Sequence, residues 1–256
     1  MNDAVNAYRR LFAEAGAPRL VGLYIVGSLA LDDFQPGRSD IDAVAVLAEP
    51  AVGPALERLA EVHRAMALRD GSRLDGVYAT LERLRRPDQD DRPTPFVVDG
   101  VFRADRPCGD LNAVLRQSLA EHGIAVFGPA IATLGIPADR RDTAIHVRAN
   151  LRSYWRPWIA EAARSVGAKP PDGDVDAAAL SWGTLGVARI AATLETGTIV
   201  SKSAAGHRAM TRHPEWRAPL ALALAQRQGR IARASLAEAE RTLDFMRFIV
   251  DRHGAA

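Results

Sequence analysis

Two carboxylates stand one residue apart in the sequence, in Asp40-Ile-Asp42, at the start of an apolar run over 41–47. The run predicts a buried strand, and because strand side chains alternate between two faces, both carboxylates lie on the same side. Like charges this close repel, and an unpaired carboxylate in an apolar strand is costly to bury. A cation relieves both costs, and carboxylate oxygens suit Mg²⁺. The pattern therefore predicts a magnesium site at Asp40 and Asp42.

A Gly-Ser turn precedes this pair in the chain. The apolar run Leu23-Tyr-Ile-Val predicts a second buried strand, which ends at Gly27-Ser28. Glycine allows the backbone to approach a phosphate closely, and the serine hydroxyl and nearby N–H groups donate hydrogen bonds to it. Ser39, directly before the acidic pair, adds another hydroxyl. An isolated Asp-x-Asp is usually a solvated pair, but a phosphate cradle beside it favours nucleotidyl transfer from a nucleoside triphosphate.

Hydrophobic periodicity divides the chain near residue 137. Before that point, amphipathic stretches alternate with short apolar runs, which predicts strands at 23–26, 41–47, 74–81 and 96–102. Beyond it, nearly everything has helical periodicity. We expect an α+β protein, with a mixed sheet and helices in residues 1–137 and an α-helical bundle in residues 138–256. A ligand cleft between two such domains is a common arrangement.

Composition is typical of a soluble globular protein. The 256 residues are 48% hydrophobic and 25% charged, and the sequence contains no run of about 18 apolar residues that would span a membrane. The N-terminus lacks the basic-then-apolar pattern of a secretory signal, and the single Cys108 excludes an intramolecular disulfide. We therefore expect a cytoplasmic protein, and a monomer, with no membrane partner.

Charge gives little support to nucleic-acid binding. The formal net charge is only +2, although the isoelectric point is near 9.0. Arginine carries nearly all the positive charge, and acidic residues are interspersed with it. No basic stripe with interleaved aromatic residues is visible in the sequence, so we expect a small-molecule substrate and no nucleic acid.

Three blocks of sequence resemble known families. Gly27-Ser28 followed by Ser39-Asp40-Ile-Asp42 resembles the signature of the DNA polymerase β-type nucleotidyltransferase superfamily. Ala188-Arg189-Ile190, followed by the segment 196–202, resembles the C-terminal part of the aminoglycoside adenylyltransferases that modify streptomycin and spectinomycin. The segment 121–129 resembles the junction between the two domains of those enzymes. The resemblance implies Mg²⁺-dependent transfer of AMP from ATP to a hydroxyl group, with release of pyrophosphate.

The resemblance also implies a set of phosphate contacts. Arg189 and Lys202 match the two basic residues with which the family contacts ATP. Ser201 or Ser203 is positioned to cap the helix that Lys202 opens, and a helix N-terminus favours an anion. The family carries a Tyr about one helix further on, but this chain has Gln226-Arg227-Gln-Gly there. Arg227 is therefore the candidate for that contact, with phosphate or base.

A third carboxylate is expected from the strand after the first long helix of this region, at Asp75. The family has a Glu on the matching strand, which resembles the general base that accepts the proton of the substrate hydroxyl. Asp75 is one methylene shorter. Two alternatives stand beside that role: a third metal ligand, as in the polymerases, or a strand-end Asp that accepts hydrogen bonds from local backbone.

The acceptor in this family is a polycation, which requires acidic and flat apolar groups. Asp174 and Asp176, in an Asp-rich segment before the helix of Trp182, are the acidic candidates. Phe102 falls near a family Trp and is the apolar candidate. The competing interpretation is that such Asp residues cap a helix in a solvated turn.

Three rival functions differ in kind from antibiotic modification. The fold could adenylylate another hydroxylated metabolite, or a protein hydroxyl. Small antitoxins that adenylylate proteins have a similar Gly-Ser and Asp-x-Asp motif, but they are shorter than this chain and lack its helical half. A binding protein that retains a nucleotide pocket without turnover is the third rival, and the intact acidic pair argues against it.

Overall fold

The chain divides into two compact units, Met1–Asp139 and Arg140–Ala256, in a computed structural model that describes residues 2–67, 74–86 and 92–254. In the first unit the elements follow one another as α1 (Asn2–Glu14), β1 (Leu20–Val26), α2 (Gly27–Ala30), β2 (Ile41–Leu47), α3 (Pro54–Ala67), β3 (Leu74–Thr80), α4 (Leu81–Arg85), β4 (Phe96–Val98), β5 (Val101–Arg103), α5 (Ala113–His122) and β6 (Ile124–Phe127).

A six-stranded mixed sheet forms the centre of the first unit, in the order β5-β4-β3-β2-β1-β6. Strands β2 and β3 pair in parallel, joined by α3, and the other neighbours pair antiparallel. Apart from Asp42 and Asp75 near their N-terminal ends, the central strands β2 and β3 are largely apolar, which fits a sheet with a separate buried cluster packed on each face. The predicted strand at 41–47 is confirmed, and the strand predicted at 74–81 runs from Leu74 to Thr80.

The stretch predicted as one strand over 96–102 is instead a tight hairpin. Strands β4 and β5 pair through Val98 and Val101, so that Asp99 and Gly100 alone form the turn. Both turn residues have positive φ, 51° and 73°. That conformation matches the twist of the flanking strands, and Asp-Gly is one of the few dipeptides that adopt it readily. The single-strand prediction was wrong because it overlooked this dipeptide.

The second unit is helical, as predicted, with one small addition. Its elements are α6 (Arg140–Asn150), a π-helical turn (Leu151–Trp155), α7 (Arg156–Gly167), β7 (Asp174–Asp176), α8 (Ala177–Thr196), α9 (Lys202–Arg212), α10 (Arg217–Arg227), β8 (Arg233–Ser235) and α11 (Leu236–Gly254). Strands β7 and β8 pair antiparallel as a two-stranded sheet, which the sequence did not predict because three residues are too few for a visible alternation.

Helix α8 is the central element of the second unit. It spans Ala177–Thr196 and packs against α9, α10 and α11. Length and composition alone would allow it to cross a membrane, yet 67% of its most apolar window is buried inside the protein. Gly183 and Gly186 lie where a Cβ would come within 2.7 Å of Met246 and Trp155, so glycine permits close packing there. The apolar character of α8 is therefore that of a core helix.

Candidate active site

The two predicted acidic residues lie at the N-terminal end of β2. Asp42 pairs through its Cα with Val26 on β1 and with Asp75 on β3, so the two carboxylates lie side by side on neighbouring strands. Asp40 directly precedes the strand and is half-buried. Gly27 follows Val26, and a Cβ at Gly27 would lie 1.9 Å from Oδ2 of Asp42. The sheet register thus brings the Gly-Ser turn, the acidic pair and Asp75 to one edge of the sheet.

Asp75 is buried, with 8% of its surface exposed, and both of its carboxylate oxygens accept hydrogen bonds from the β4–β5 turn. The N–H of Asp99 donates to Oδ2 at 2.6 Å, and the N–H of Gly100 donates to Oδ1 at 2.9 Å. These bonds compensate the desolvation of a buried carboxylate. A carboxylate oxygen has about two acceptor sites, so each oxygen keeps one for a proton or a metal ion. Asp75 therefore accepts backbone hydrogen bonds from a turn 24 and 25 residues further along the chain and not from its own neighbours, and these bonds are compatible with both roles expected for it, general base and metal ligand.

Three carboxylates converge at this edge. One ligand oxygen each from Asp40, Asp75 and Asp99 lies within 4.8 Å of the other two. Asp42 lies beside this group, with its carboxylate against Gly27. An all-oxygen donor set of this kind fits Mg²⁺, which commonly takes one or two carboxylates and completes its shell with waters and substrate phosphates.

Two side chains near this site, Asp110 and Cys108, have raised pKa values. Desolvation raises the pKa of Asp110, and the charge of Asp75 raises it further. Burial, followed by the charge of Asp110, raises the pKa of Cys108 to about 11. The thiol therefore remains protonated at neutral pH, which argues against a nucleophilic role because the thiolate is the reactive form.

The two serine hydroxyls have different surroundings. Ser28 Oγ is buried and makes no hydrogen bond within the part of the chain that the structure describes. An orphaned hydroxyl of this kind is uncommon in folded proteins and fits a site that a ligand completes. Ser39 Oγ accepts a hydrogen bond from the N–H of Gln35 at 3.1 Å, which closes the loop before Asp40. Its own hydroxyl hydrogen is still available to a phosphate oxygen.

The predicted cations of the second unit lie on or next to α9. Lys202 is the first residue of that helix, and Ser201 is its N-cap, accepting from the N–H of Ala204 at 3.2 Å. Ser203 has another role, because its Oγ accepts from Nε of Arg227 at 3.3 Å. The structure therefore brings Arg227, at the end of α10, to the N-terminus of α9. Arg189 lies on the adjacent helix α8 and is half-buried.

The predicted acceptor-binding residues all have structural partners. Asp174 on β7 forms an ion pair with Arg233 on β8, and this pair lowers the pKa of Asp174. Asp176 is the N-cap of α8, accepting from the N–H of Ala178 at 2.8 Å. The ring of Phe102 stacks on His63 with centroids 6.2 Å apart.

Asp99 is the site residue that sequence reasoning missed. Nothing in its immediate neighbourhood resembles a ligand motif, and the stretch was assigned to a strand interior. The signal that could have found it is the Asp-Gly dipeptide between two apolar pairs, which predicts a hairpin turn. Its arrival beside Asp75 depends on the pairing of β4 with β3, which single-sequence periodicity does not give.

Comparison with known proteins addresses both halves of the chain. Residues 176–252 match the family model described as the aminoglycoside adenylyltransferase C-terminal domain. The fold is similar to the crystal structure of the spectinomycin adenyltransferase AAD(9) from Enterococcus faecialis with ATP and spectinomycin. That likeness has a TM-score of 0.72 at 14% sequence identity and covers 100% of both chains. No curated protein sequence matches the chain.

The α+β fold predicted from the sequence is confirmed by the full-length likeness, and the resemblance of the C-terminal segment is confirmed by the domain match. The domain match includes Arg189, Lys202 and Arg227 within its bounds. Residues 176–252, fewer than half of the chain, are therefore similar to the C-terminal domain of the aminoglycoside adenylyltransferases.

Proposed function

We propose that the protein transfers AMP from ATP to a hydroxyl group of a cationic aminocyclitol or aminoglycoside antibiotic, with streptomycin and spectinomycin as the first substrates to test. The observation that carries the proposal is the acidic group of Asp40, Asp75 and Asp99 beside the Gly27-Ser28 turn. It lies in a chain that has an aminoglycoside adenylyltransferase C-terminal domain and the fold of a spectinomycin adenyltransferase.

The proposed reaction is an in-line displacement at the α-phosphorus of ATP. The substrate hydroxyl oxygen forms a bond to the α-phosphorus, and the bond from that phosphorus to the bridging oxygen of the β-phosphate breaks. Pyrophosphate leaves with the electron pair, and the hydroxyl proton passes to a carboxylate, for which we propose Asp75. An adenylylated antibiotic gains negative charge and bulk, which would weaken its recognition by an RNA target.

Mg²⁺ fits the carboxylates at the end of β2 and β3, and we propose that Asp40 and Asp42 hold it. When bound, the metal supplies neutralisation of the triphosphate charge. The protein supplies the rest: the sheet register fixes the ligands, and Gly27 leaves room for the Asp42 carboxylate. If Asp75 is instead a third ligand, substitution of Asp75 weakens metal binding directly, and a titration with Mn²⁺ measures that effect.

The proposal assigns phosphate contacts to residues of both units. In the first, backbone at Gly27 and the hydroxyls of Ser28 and Ser39 donate to phosphate oxygens. In the second, Lys202 lies at a capped helix N-terminus, where backbone N–H groups and the helix dipole favour an anion. Arg189 and Arg227 complete the set, and a guanidinium can contact two phosphate oxygens at once.

We propose that Asp174, Asp176 and Phe102 contact the acceptor, in addition to the structural partner that each of them has. An exposed carboxylate in an ion pair still contributes negative charge to a cationic ligand, and about half of the Asp174 side chain is exposed. We propose further that the enzyme acts as a monomer in the cytoplasm, where ATP and Mg²⁺ are available.

The test is pyrophosphate release from ATP and Mg²⁺ in the presence of streptomycin, spectinomycin or other aminoglycosides. We expect release that depends on one of these drugs and falls at least about 100-fold in Asp42→Asn, since loss of a metal-site carboxylate removes charge from the reacting phosphates. The matched control is Asp244→Asn, on an exposed face of α11, which should keep full activity. Mass spectrometry of the drug should show the addition of one AMP.

Other outcomes redirect the proposal or end it. ATP binding without release for any drug would shift the acceptor to another hydroxylated metabolite or a protein. Equal activity of Asp42→Asn and the parent enzyme would contradict the proposed role of the acidic pair. Absence of ATP binding would end the proposal of adenylyl transfer.

A further inference from the structure

We infer that Asp99 is a metal ligand of this enzyme and that Asp75 positions it by holding the β4–β5 turn against the metal site. The inference rests on the proposed function, since it assigns further residues to the same magnesium site. It concerns a feature of this chain: the Asp99-Gly100 hairpin turn places the carboxylate of Asp99 beside those of Asp40 and Asp75.

The geometry gives the side chain of Asp99 its position. Its ligand oxygen lies within 4.8 Å of oxygens from Asp40 and Asp75, although Asp99 comes from a different hairpin. Six-coordinate Mg²⁺ has oxygen ligands at about 2.0–2.1 Å, so ligand oxygens on opposite sides of the ion are about 4 Å apart. The oxygens of Asp40 and Asp99 therefore lie at a separation close to that of two ligands of one ion.

Turn chemistry alone does not account for an acidic residue here. The first central position of this turn requires positive φ, which Asn and Gly adopt at least as readily as Asp. A neutral Asn would preserve the turn without adding a third negative charge beside two others. With a bound cation, Asp becomes the favoured residue at position 99, because its negative charge stabilises the ion.

Asp75 acts on this arrangement through the backbone. Its two oxygens accept the N–H groups of Asp99 and Gly100, at 2.6 and 2.9 Å, and so fix the turn at both central residues. Asp75 is buried whereas Asp99 is exposed. The buried carboxylate is therefore the support, and the exposed carboxylate is the group that reaches an ion and its water ligands.

The experiment measures Mn²⁺ binding by the loss of the free-ion electron paramagnetic resonance signal, with and without a non-hydrolysable ATP analogue. Asp99→Asn should retain the turn and the melting temperature while binding Mn²⁺ roughly 10-fold or more weakly, on the scale of changes around metal sites. Asp244→Asn is the matched control and should bind like the parent protein. Asp75→Asn should also bind Mn²⁺ weakly, with a lower melting temperature, because an amide nitrogen cannot accept the second turn N–H.

A double-variant cycle separates positioning from direct ligation. If Asp75 acts through Asp99, adding Asp75→Asn to Asp99→Asn should change Mn²⁺ affinity less than twofold, since coupled residues are non-additive. Equal Mn²⁺ affinity of Asp99→Asn and the parent protein would overturn the inference and leave the proposed function intact. A further loss of 10-fold in the double variant would overturn the positioning role of Asp75. Failure of the parent protein to bind Mn²⁺ with the ATP analogue would overturn the proposed function as well.

Discussion

A side chain at position 27 would collide with the carboxylate of Asp42. Gly27 has a φ of +65°, and a Cβ there would lie 1.9 Å from the Asp42 carboxylate. Gly27→Ala should therefore displace Asp42 and reduce adenylyl transfer roughly 100-fold, the size of effect expected from a misplacement of about 1 Å. Steady-state pyrophosphate release measures the loss.

The control for this substitution is Gly16→Ala. Gly16 has a similar φ of +59°, and its Cβ would meet nothing within 4 Å. It should lose about 1–2 kcal/mol of stability from the left-handed conformation alone and keep its activity. If both variants lose activity to the same extent, backbone strain and not the contact with Asp42 is the cause.

The sequence predicts an individual residue of the candidate site only where the spacing between neighbouring residues fixes the position of its side chain. Asp40 and Asp42 share a side because a strand has a fixed period, and Gly27 marks the turn because glycine tolerates its φ. Asp99 reaches the same place through strand pairing and a hairpin, both set by contacts between segments distant in sequence. The partner of Asp174 was likewise hidden, because Arg233 on β8 lies almost sixty residues further along the chain.

Among the elements, the packing of α3 against the sheet contains a buried polar chain. The Tyr8 and Tyr78 hydroxyl oxygens are 2.8 Å apart, and Tyr78 lies 2.5 Å from Nε2 of His63. A hydroxyl donates one hydrogen, so Tyr78 can donate to only one of these two partners. Burial lowers the pKa of His63 to about 4, from an ordinary value of 6.5.

Because the pKa of His63 is lowered, we expect the free energy of unfolding of the first unit to fall in acid. Between pH 6.5 and 4 the unfolded chain binds a proton at His63 that the folded chain does not, so stability falls as pH falls. The loss approaches about 3 kcal/mol once the pH reaches 4. Urea unfolding of the parent protein and of His63→Leu, from pH 7 to pH 4, measures it, and the variant should show a flatter dependence over this window. Parallel curves for the two proteins would contradict the assignment.

Elements with strong periodicity were the predictable ones. Strand β2 carries its own pattern of buried positions, and it lies at 41–47, where the pattern predicted it. The two short strands of the second unit have three residues each, so their sequences contain no period to detect. Their pairing is stabilised by contacts with α11 and α8, which only the folded chain supplies.

For the whole molecule, each unit has its own buried core. The core of the second unit is formed by residues between 151 and 250. All four tryptophans of the chain belong to the second unit: Trp155, Trp158, Trp182 and Trp216. Three of them form a contiguous aromatic cluster, in which Trp155 and Trp182 have ring centroids 4.7 Å apart. Trp182 remains 40% exposed.

We expect residues 140–256 alone to fold, because a separate core of this size satisfies the main requirement for an independent domain. The fragment should reproduce the tryptophan emission spectrum of the full chain and show a cooperative thermal transition in circular dichroism. Fragment 1–139 contains no tryptophan and serves as the blank. A red-shifted emission without a cooperative transition would show that the second unit needs the first in order to fold.

The π-helical turn at Leu151–Trp155 joins α6 to α7 without a break, since the residues on either side keep right-handed helical torsions. Such a turn accommodates one residue more than an α-helix would. Deleting a single residue there would restore a regular helix with α6 and α7 near their present relative phase. Inserting a further residue would rotate α7 by about 100° relative to α6 and carry Trp158 away from its partner on α8. Homologues that share the tryptophan cluster should therefore tolerate substitution at Ser153 or the loss of one residue beside it, but no insertion.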